Sequence, residues 1–78
     1  MALVTEIKRI EKTGQPHGPC ECGCFVVETK NGKRLLTIET YGSETRKIPG
    51  KVSQSIQFDE EGARQLKELI EQVFPSLK

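Results

Sequence analysis

The stretch that decides the fold is residues 24–41, CFVVETKNGKRLLTIETY. Two runs rich in β-branched and aliphatic residues, 24–29 and 34–41, flank the dipeptide Asn31-Gly32. Asn-Gly is typical of a tight type I′ turn, because both residues tolerate the positive φ angles that this turn requires. The stretch therefore predicts a β-hairpin.

The two-residue turn also predicts which side chains share a face of the hairpin. It pairs Val27 with Leu36 on the face that points to the core. The opposite face then carries Val26 and Leu35 among polar neighbours, Thr37 included. A half-apolar face of this kind is expected to meet a ligand or a second subunit.

A further strand and a helix are predicted downstream of the hairpin. Residues 52–58 alternate apolar and polar side chains, which indicates a strand with one buried side. Asp59 follows at an N-cap position, and Glu60 and Glu61 lie where negative charge favours the helix dipole. An apolar stripe with helical spacing then runs to a predicted helix end near Pro75. Its members are Ala63, Leu66, Leu69, Ile70, Val73 and Phe74.

The N-terminal part of the chain is less regular. Residues 3–12 fit either a strand or a helical stripe, and their β-branched side chains favour a strand. Residues 14–19 hold two glycines and two prolines, and residues 42–50 are polar, so both are predicted to be loops. Together these elements predict one α+β domain spanning residues 1–78, with a four-stranded antiparallel sheet in the order ββββα.

Charge is distributed unevenly along the chain. The 78 residues carry a net charge of only +1, which excludes the strong overall positive field of many nucleic-acid-binding proteins. Residues 30–51, however, hold six basic and two acidic side chains, a net +4, between a segment of −1 and a segment of −2. Two basic loops beside a sheet predict contacts with a phosphate backbone, and the only tyrosine is a candidate for base stacking. The predicted nucleic-acid-binding residues are Lys30, Lys33, Arg34, Tyr41, Arg46, Lys47 and Lys51.

The cysteines raise a second hypothesis, that of a zinc site. Cys20, Cys22 and Cys24 stand close to His17, so this segment could supply ligands for zinc. The Cys-x-Cys-x-Cys spacing is poor for a single ion, because an extended chain places successive thiols about 6–7 Å apart on one face. We therefore expect free thiols and no metal site, with a small zinc-binding protein as an alternative.

Catalytic and membrane functions are not favoured by the sequence. His17 is the only histidine and has no Asp or Asn nearby to orient it, so no catalytic residues and no cofactor are predicted. No run approaches the roughly 18 apolar residues of a membrane span. We expect a cytoplasmic protein that is not an enzyme and has no membrane partner.

A series of motifs occurs in a recognisable order along the second half of the chain: Gly32-Lys33, residues 36–39, Pro49-Gly50-Lys51, residues 55–61 and residues 66–70. In this order, residues 32–72 resemble the transcriptional positive-cofactor-four family, whose members are small dimeric single-stranded-DNA-binding proteins with a ββββα order. The chain departs from the family pattern at Ser55, where the family has a glycine. The resemblance implies backbone contacts by Lys33, Arg34, Lys47 and Lys51.

The sequence thus predicts a homodimeric protein that binds single-stranded nucleic acid without strong sequence preference, as a transcription cofactor would. The alternatives are a protein-interaction module that uses the open sheet face, and the zinc-binding protein described above.

Overall fold

A computed structural model describes residues 1–41 and 51–78. Its elements follow one another in this order: β1 (Ala2–Val4), β2 (Cys22–Glu28), β3 (Arg34–Thr40), β4 (Gln54–Phe58), α1 (Glu60–Val73) and a 3-10 turn (Pro75–Leu77). The predicted α+β fold with four strands and one C-terminal helix is confirmed. The predicted loop at residues 42–50 lies outside the described residues.

The sheet is mixed, so the predicted purely antiparallel arrangement is wrong for one pair of strands. The strand order is β1-β4-β3-β2; the β2–β3 and β3–β4 pairs are antiparallel, whereas β1 is parallel to β4. Ala2 lies opposite Ile56, and Val4 lies opposite Phe58. A parallel pair requires a long connection, and here most of the chain separates the two strands. No local sequence pattern therefore indicates the pairing of β1 with β4.

The first strand is much shorter than residues 3–12, the predicted segment. Residues 5–21 form no strand or helix and are exposed, with Ile7 as the half-buried exception. The Ile7 amide donates a hydrogen bond to Gln65 Oε1 at 2.7 Å, which ties the start of this segment to α1. β-Branched residues favour strands only where a neighbouring strand is available, and none lies beside this segment.

The hairpin turn has three residues rather than the predicted two. The Gly32 amide donates to Thr29 O at 3.0 Å, and the Thr29 amide donates to Lys33 O at 2.8 Å. Gly32 has a φ of +79°, and it is the only residue with positive φ in the part of the chain that the structure describes. A type I′ turn would need positive φ at Asn31 as well. The geometry is instead that of a type I turn closed by a left-handed glycine.

The longer turn shifts the hairpin register by one residue. Val26 lies opposite Leu36, and Val27 lies opposite Leu35, so the predicted pairing of Val27 with Leu36 is wrong. Side chains alternate between the two faces along a strand. A shift of one residue therefore moves every residue of β3 to the opposite face from the one predicted for it relative to β2. Val26 and Leu35 consequently lie on opposite faces of the sheet.

The predicted helix is confirmed together with its cap. Asp59 is the N-cap, and its Oδ1 accepts a hydrogen bond from the Gly62 amide at 2.7 Å. The helix ends at Val73, and its C-cap is Phe74, whose amide donates to Ile70 O at 2.8 Å, just before Pro75. α1 packs against β3 and β4. No helix in the described part of the chain is long and apolar enough to cross a membrane.

The core of the described residues is small. Phe58 is their only buried large hydrophobic side chain, at 7% exposure. Thr37 on the central strand β3 is also buried, and its Oγ1 has no hydrogen-bond partner there. The described residues therefore gain little stability from the burial of apolar surface.

Candidate nucleic-acid interface

Three of the predicted nucleic-acid-binding residues lie together at one end of the sheet. Lys30 is in the turn between β2 and β3, Lys33 follows the turn, and Arg34 begins β3. We call these three residues the basic hairpin end. All three are exposed, and none forms an ion pair with any residue in the described ranges 1–41 and 51–78. Their charges are therefore available to an anionic ligand.

The turn itself holds this end in place. Besides the two backbone hydrogen bonds that close it, the Lys33 amide donates to Thr29 Oγ1 at 3.1 Å. Fixing the backbone on both sides of Lys30 reduces the conformational entropy that a bound ligand would have to remove. The turn thus presents the cations on a defined backbone.

Arg34 borders a shallow groove of about 250 Å³. Val26, Leu36 and Phe58 contribute its apolar part, and all three share one face of the sheet by register. Val26 and Leu36 remain exposed there, whereas Phe58 is buried. The groove can receive an apolar face of a ligand beside a guanidinium group, but it offers no exposed aromatic ring for stacking.

Acidic residues limit how a phosphate could approach this groove. Asp59 and Glu60, at the start of α1, line its far side. The Asp59 carboxylate is engaged as the helix cap, whereas Glu60 is exposed. Their negative charge disfavours phosphate on the α1 side, so a phosphate is best placed on the turn side of Arg34.

Tyr41 lies far from the basic hairpin end. It follows the opposite end of β3, and the seven residues of that strand span about 20 Å. The Tyr41 hydroxyl donates to Glu39 Oε1 at 3.2 Å, and a Cβ added at Gly23 would collide with it. Burial raises the pKa of Tyr41, and the Glu39 carboxylate raises it further. The tyrosine is therefore held by its own sheet on the face that carries Gly23 and Glu39.

The remaining predicted cations do not extend the basic hairpin end within the described structure. Lys51 precedes β4 and lies near the Tyr41 end, where the Ser53 amide donates to Thr40 O at 2.7 Å. Arg46 and Lys47 lie outside the described residues. The structure thus brings Lys30, Lys33 and Arg34 together and separates them from Tyr41 and Lys51 by the length of the sheet.

The cysteine segment lies on the outer strand of the sheet. Cys20, Cys22 and Cys24 are all free and exposed; Cys22 begins β2, and Cys20 precedes it. Among residues 1–41 and 51–78, no group of three His, Cys, Asp or Glu side chains is arranged to hold a metal ion. The geometry of the described residues gives the zinc alternative no support.

The basic side chain Arg64 of α1 is occupied by acidic neighbours. Arg64 bonds Glu61 and Glu68, each at 2.5 Å, on the exposed side of the helix. The hydrogen bond from Arg64, with a further one from Gln65, lowers the pKa of Glu61 to about 2. Arg64 and its two glutamate partners together carry a net negative charge, so this part of the helix is not a second cationic site.

Sequence reasoning missed the groove beside Arg34. The groove exists because Val26, Leu36 and Phe58 align across three strands, and the predicted register placed Val26 beside Thr37 instead. The one available signal was the three-residue sequence Lys30-Asn31-Gly32, which also fits the longer turn.

Comparison with known proteins gives no relative from which a function could be transferred: no family model, no curated protein and no solved structure matches the chain.

Proposed function

We propose that this protein binds single-stranded nucleic acid through the basic hairpin end. The observation that carries the proposal is the exposure of Lys30, Lys33 and Arg34 at one end of the hairpin, with no intramolecular ion pair in the described structure. Three clustered cations without internal partners are suited to a polyanion, because binding releases the counterions that neutralise its phosphates.

The proposed mechanism combines charge neutralisation with a weak apolar contact. Lys30 and Lys33 act as point charges, and the planar guanidinium of Arg34 is able to bind a phosphate with two hydrogen bonds. An unstacked base next to that phosphate lies over Val26 and Leu36. Because backbone contacts carry no sequence information, binding is expected to be weakly selective.

The proposal agrees with what the resemblance to the positive-cofactor-four family implies, namely backbone contacts by Lys33 and Arg34. Under this proposal the protein is a transcription cofactor, and Lys51 makes a further backbone contact toward the other end of the sheet. The resemblance implies another backbone contact by Lys47, which lies outside the described residues. A single strand of several nucleotides would be needed to reach both ends, since β3 separates them by about 20 Å.

The proposal is tested by removing the three charges together. Lys30→Gln, Lys33→Gln and Arg34→Gln in one chain should reduce the affinity for a labelled single-stranded oligonucleotide and bring the slope of log affinity against log salt about 2 units closer to zero, at about 0.7 per phosphate contact. The matched control changes three other exposed cations, Lys8, Arg9 and Lys12, to Gln. The control should keep the parental slope. Equal losses in both variants would show that only net charge matters and would refute a defined interface.

A protein-interaction module is the second candidate function. It is favoured by the exposed apolar side chains Val26, Leu36 and Ile56, which lie on one face of the sheet by register. A protein partner on this face would bind with weak salt dependence and would tolerate the triple Gln variant. A chain with this function would not show salt-dependent binding of the oligonucleotide, so the oligonucleotide titration separates the two functions.

A further inference from the structure

Asn31, in the turn between β2 and β3, is open to attack by the backbone nitrogen that follows it. It is the only asparagine in the chain, and a glycine comes next. Its side chain is exposed and makes no hydrogen bond to any residue in the described ranges 1–41 and 51–78. Gly32 has no Cβ to hinder the approach of its own nitrogen to the side-chain carbonyl carbon, Cγ, of Asn31.

One backbone hydrogen bond restrains the Gly32 nitrogen. The Gly32 amide donates to Thr29 O at 3.0 Å. The other hydrogen bonds of the turn join Thr29 to Lys33 and involve neither Asn31 nor Gly32. Breaking a single hydrogen bond of this kind reduces the reactive fraction about tenfold. The tip of the turn can therefore open while the two strands of the hairpin stay paired.

The neighbouring cations favour the reaction. The Gly32 nitrogen attacks after it has lost its proton, so a negative charge develops there. Lys30 and Lys33 flank the Asn31-Gly32 pair, and neither forms an ion pair in the part of the chain that the structure describes. Nearby positive charge lowers the free energy of the anionic nitrogen.

We propose that Asn31 is a site of spontaneous deamidation that lowers the charge of the basic hairpin end. The deprotonated Gly32 nitrogen bonds to Asn31 Cγ, the bond from Cγ to the side-chain nitrogen breaks, and that nitrogen leaves as ammonia after taking a proton from water. Water then opens the five-membered imide. Opening at Cγ gives aspartate, whereas opening at the backbone carbonyl gives isoaspartate. The net reaction consumes one water and releases one ammonia, and no electron is transferred.

Either product places a carboxylate between Lys30 and Lys33. The basic hairpin end then has an acidic neighbour that its three cations lack in the described structure. For a bound polyanion the effect equals the loss of one phosphate contact, about 0.7 in the slope of log affinity against log salt. This consequence rests on the proposed function, whereas the chemical step does not.

Intact-mass measurement of the full chain at mildly alkaline pH tests the chemical step. The chain should replace one amino group by a hydroxyl at most about 30-fold more slowly than a blocked peptide of residues 28–34, because only one hydrogen bond must open. A larger difference would mean that the reaction waits for unfolding of the whole domain, and would overturn the proposal. Peptide mapping should place the change at residue 31, and a change elsewhere alone would overturn it as well.

Two variants test the roles of the glycine and the cations in the same assay. Gly32→Ala should slow the conversion at least about tenfold, because a Cβ hinders ring closure, and an unchanged rate would overturn the proposal. Lys30→Gln with Lys33→Gln should slow it at least about threefold. The matched control Lys8→Gln with Lys12→Gln removes the same charge from exposed positions and should keep the parental rate. Equal rates in the two double variants would overturn the role of the cations.

The variant Asn31→Asp tests the consequence for binding. It should weaken the affinity for a labelled single-stranded oligonucleotide and bring the salt slope about 0.7 closer to zero. The matched control Gln15→Glu adds the same charge at an exposed position of the irregular segment and should keep the parental slope. An Asn31→Asp chain that binds as well as a binding parent would overturn this consequence. A parent that does not bind would refute the proposed function alone, and the mass measurement would still decide the deamidation.

Discussion

Replacing Gly62 by Ala tests the parallel strand β1, which the sequence did not reveal. Gly62 is buried in the first turn of α1. A Cβ at this position would collide with the carbonyl oxygen of Val4 and would stand 3.1 Å from Asp59 Oδ1. The same Val4 oxygen accepts a hydrogen bond from the Asp59 amide at 3.4 Å. The missing side chain is therefore what allows β1 to reach the start of the helix.

Two opposing effects determine how much Gly62→Ala changes the free energy of unfolding. Ala is favoured over Gly in a helix by about 0.5–1 kcal/mol. The Val4 carbonyl belongs to the backbone and cannot rotate away, so β1 must move, and overpacking of this kind costs typically about 1–3 kcal/mol. The second effect is larger, and we expect Gly62→Ala to destabilise the protein by about 1–2 kcal/mol.

Urea unfolding at fixed protein concentration measures the effect. The midpoint should fall while the slope m stays the same. In a chain that lacks residues 1–4 the collision is absent, and Gly62→Ala should instead stabilise by about 0.5–1 kcal/mol. Stabilisation of the full-length chain by the same amount would refute the placement of β1 beside Gly62.

Three further predictions concern the cap, the turn and the acid response. Asp59→Ala should cost about 1 kcal/mol of stability in thermal denaturation, whereas Asp59→Asn should cost much less, because the amide oxygen still accepts from the Gly62 amide. Gly32→Ala should cost about 1 kcal/mol because of its positive φ, and Asn31→Ala less than about 0.5 kcal/mol; equal costs would indicate the type I′ turn instead. The pKa of Glu61 is about 2 in the folded chain against an ordinary 4.5, so its contribution to stability is present above pH 4.5 and is lost as the pH falls towards 2. Glu61→Gln should flatten the stability profile over that interval, and an unchanged profile would contradict the ion pair with Arg64.

The helix was predictable because its signals are local. Asp59 caps it, the first turn is acidic, the apolar stripe repeats with helical spacing, and Pro75 follows its end. The existence of the hairpin was predictable for the same reason. Its register was not, because Asn31-Gly32 fits both a two-residue and a three-residue turn, and the choice depends on hydrogen bonds made by Thr29.

Non-local contacts explain what the sequence did not reveal. β1 pairs with a strand more than 50 residues away, and only three of its residues take part. The basic hairpin end was predictable as a cluster, since its three cations are within five residues of one another. The separation of Tyr41 from that cluster follows from the length and register of β3, which no local pattern specifies.

The most direct test of the proposed function is the affinity of the parental chain for a labelled single-stranded oligonucleotide across a salt series, followed by fluorescence anisotropy. With the three cations of the basic hairpin end in contact with phosphate, log affinity should fall with log salt at a slope of about −2, and it should fall more steeply if further cations such as Lys51 also make contact. The affinity should change little with base sequence. An absence of binding at about 50 mM salt, or a slope near zero, would contradict the account.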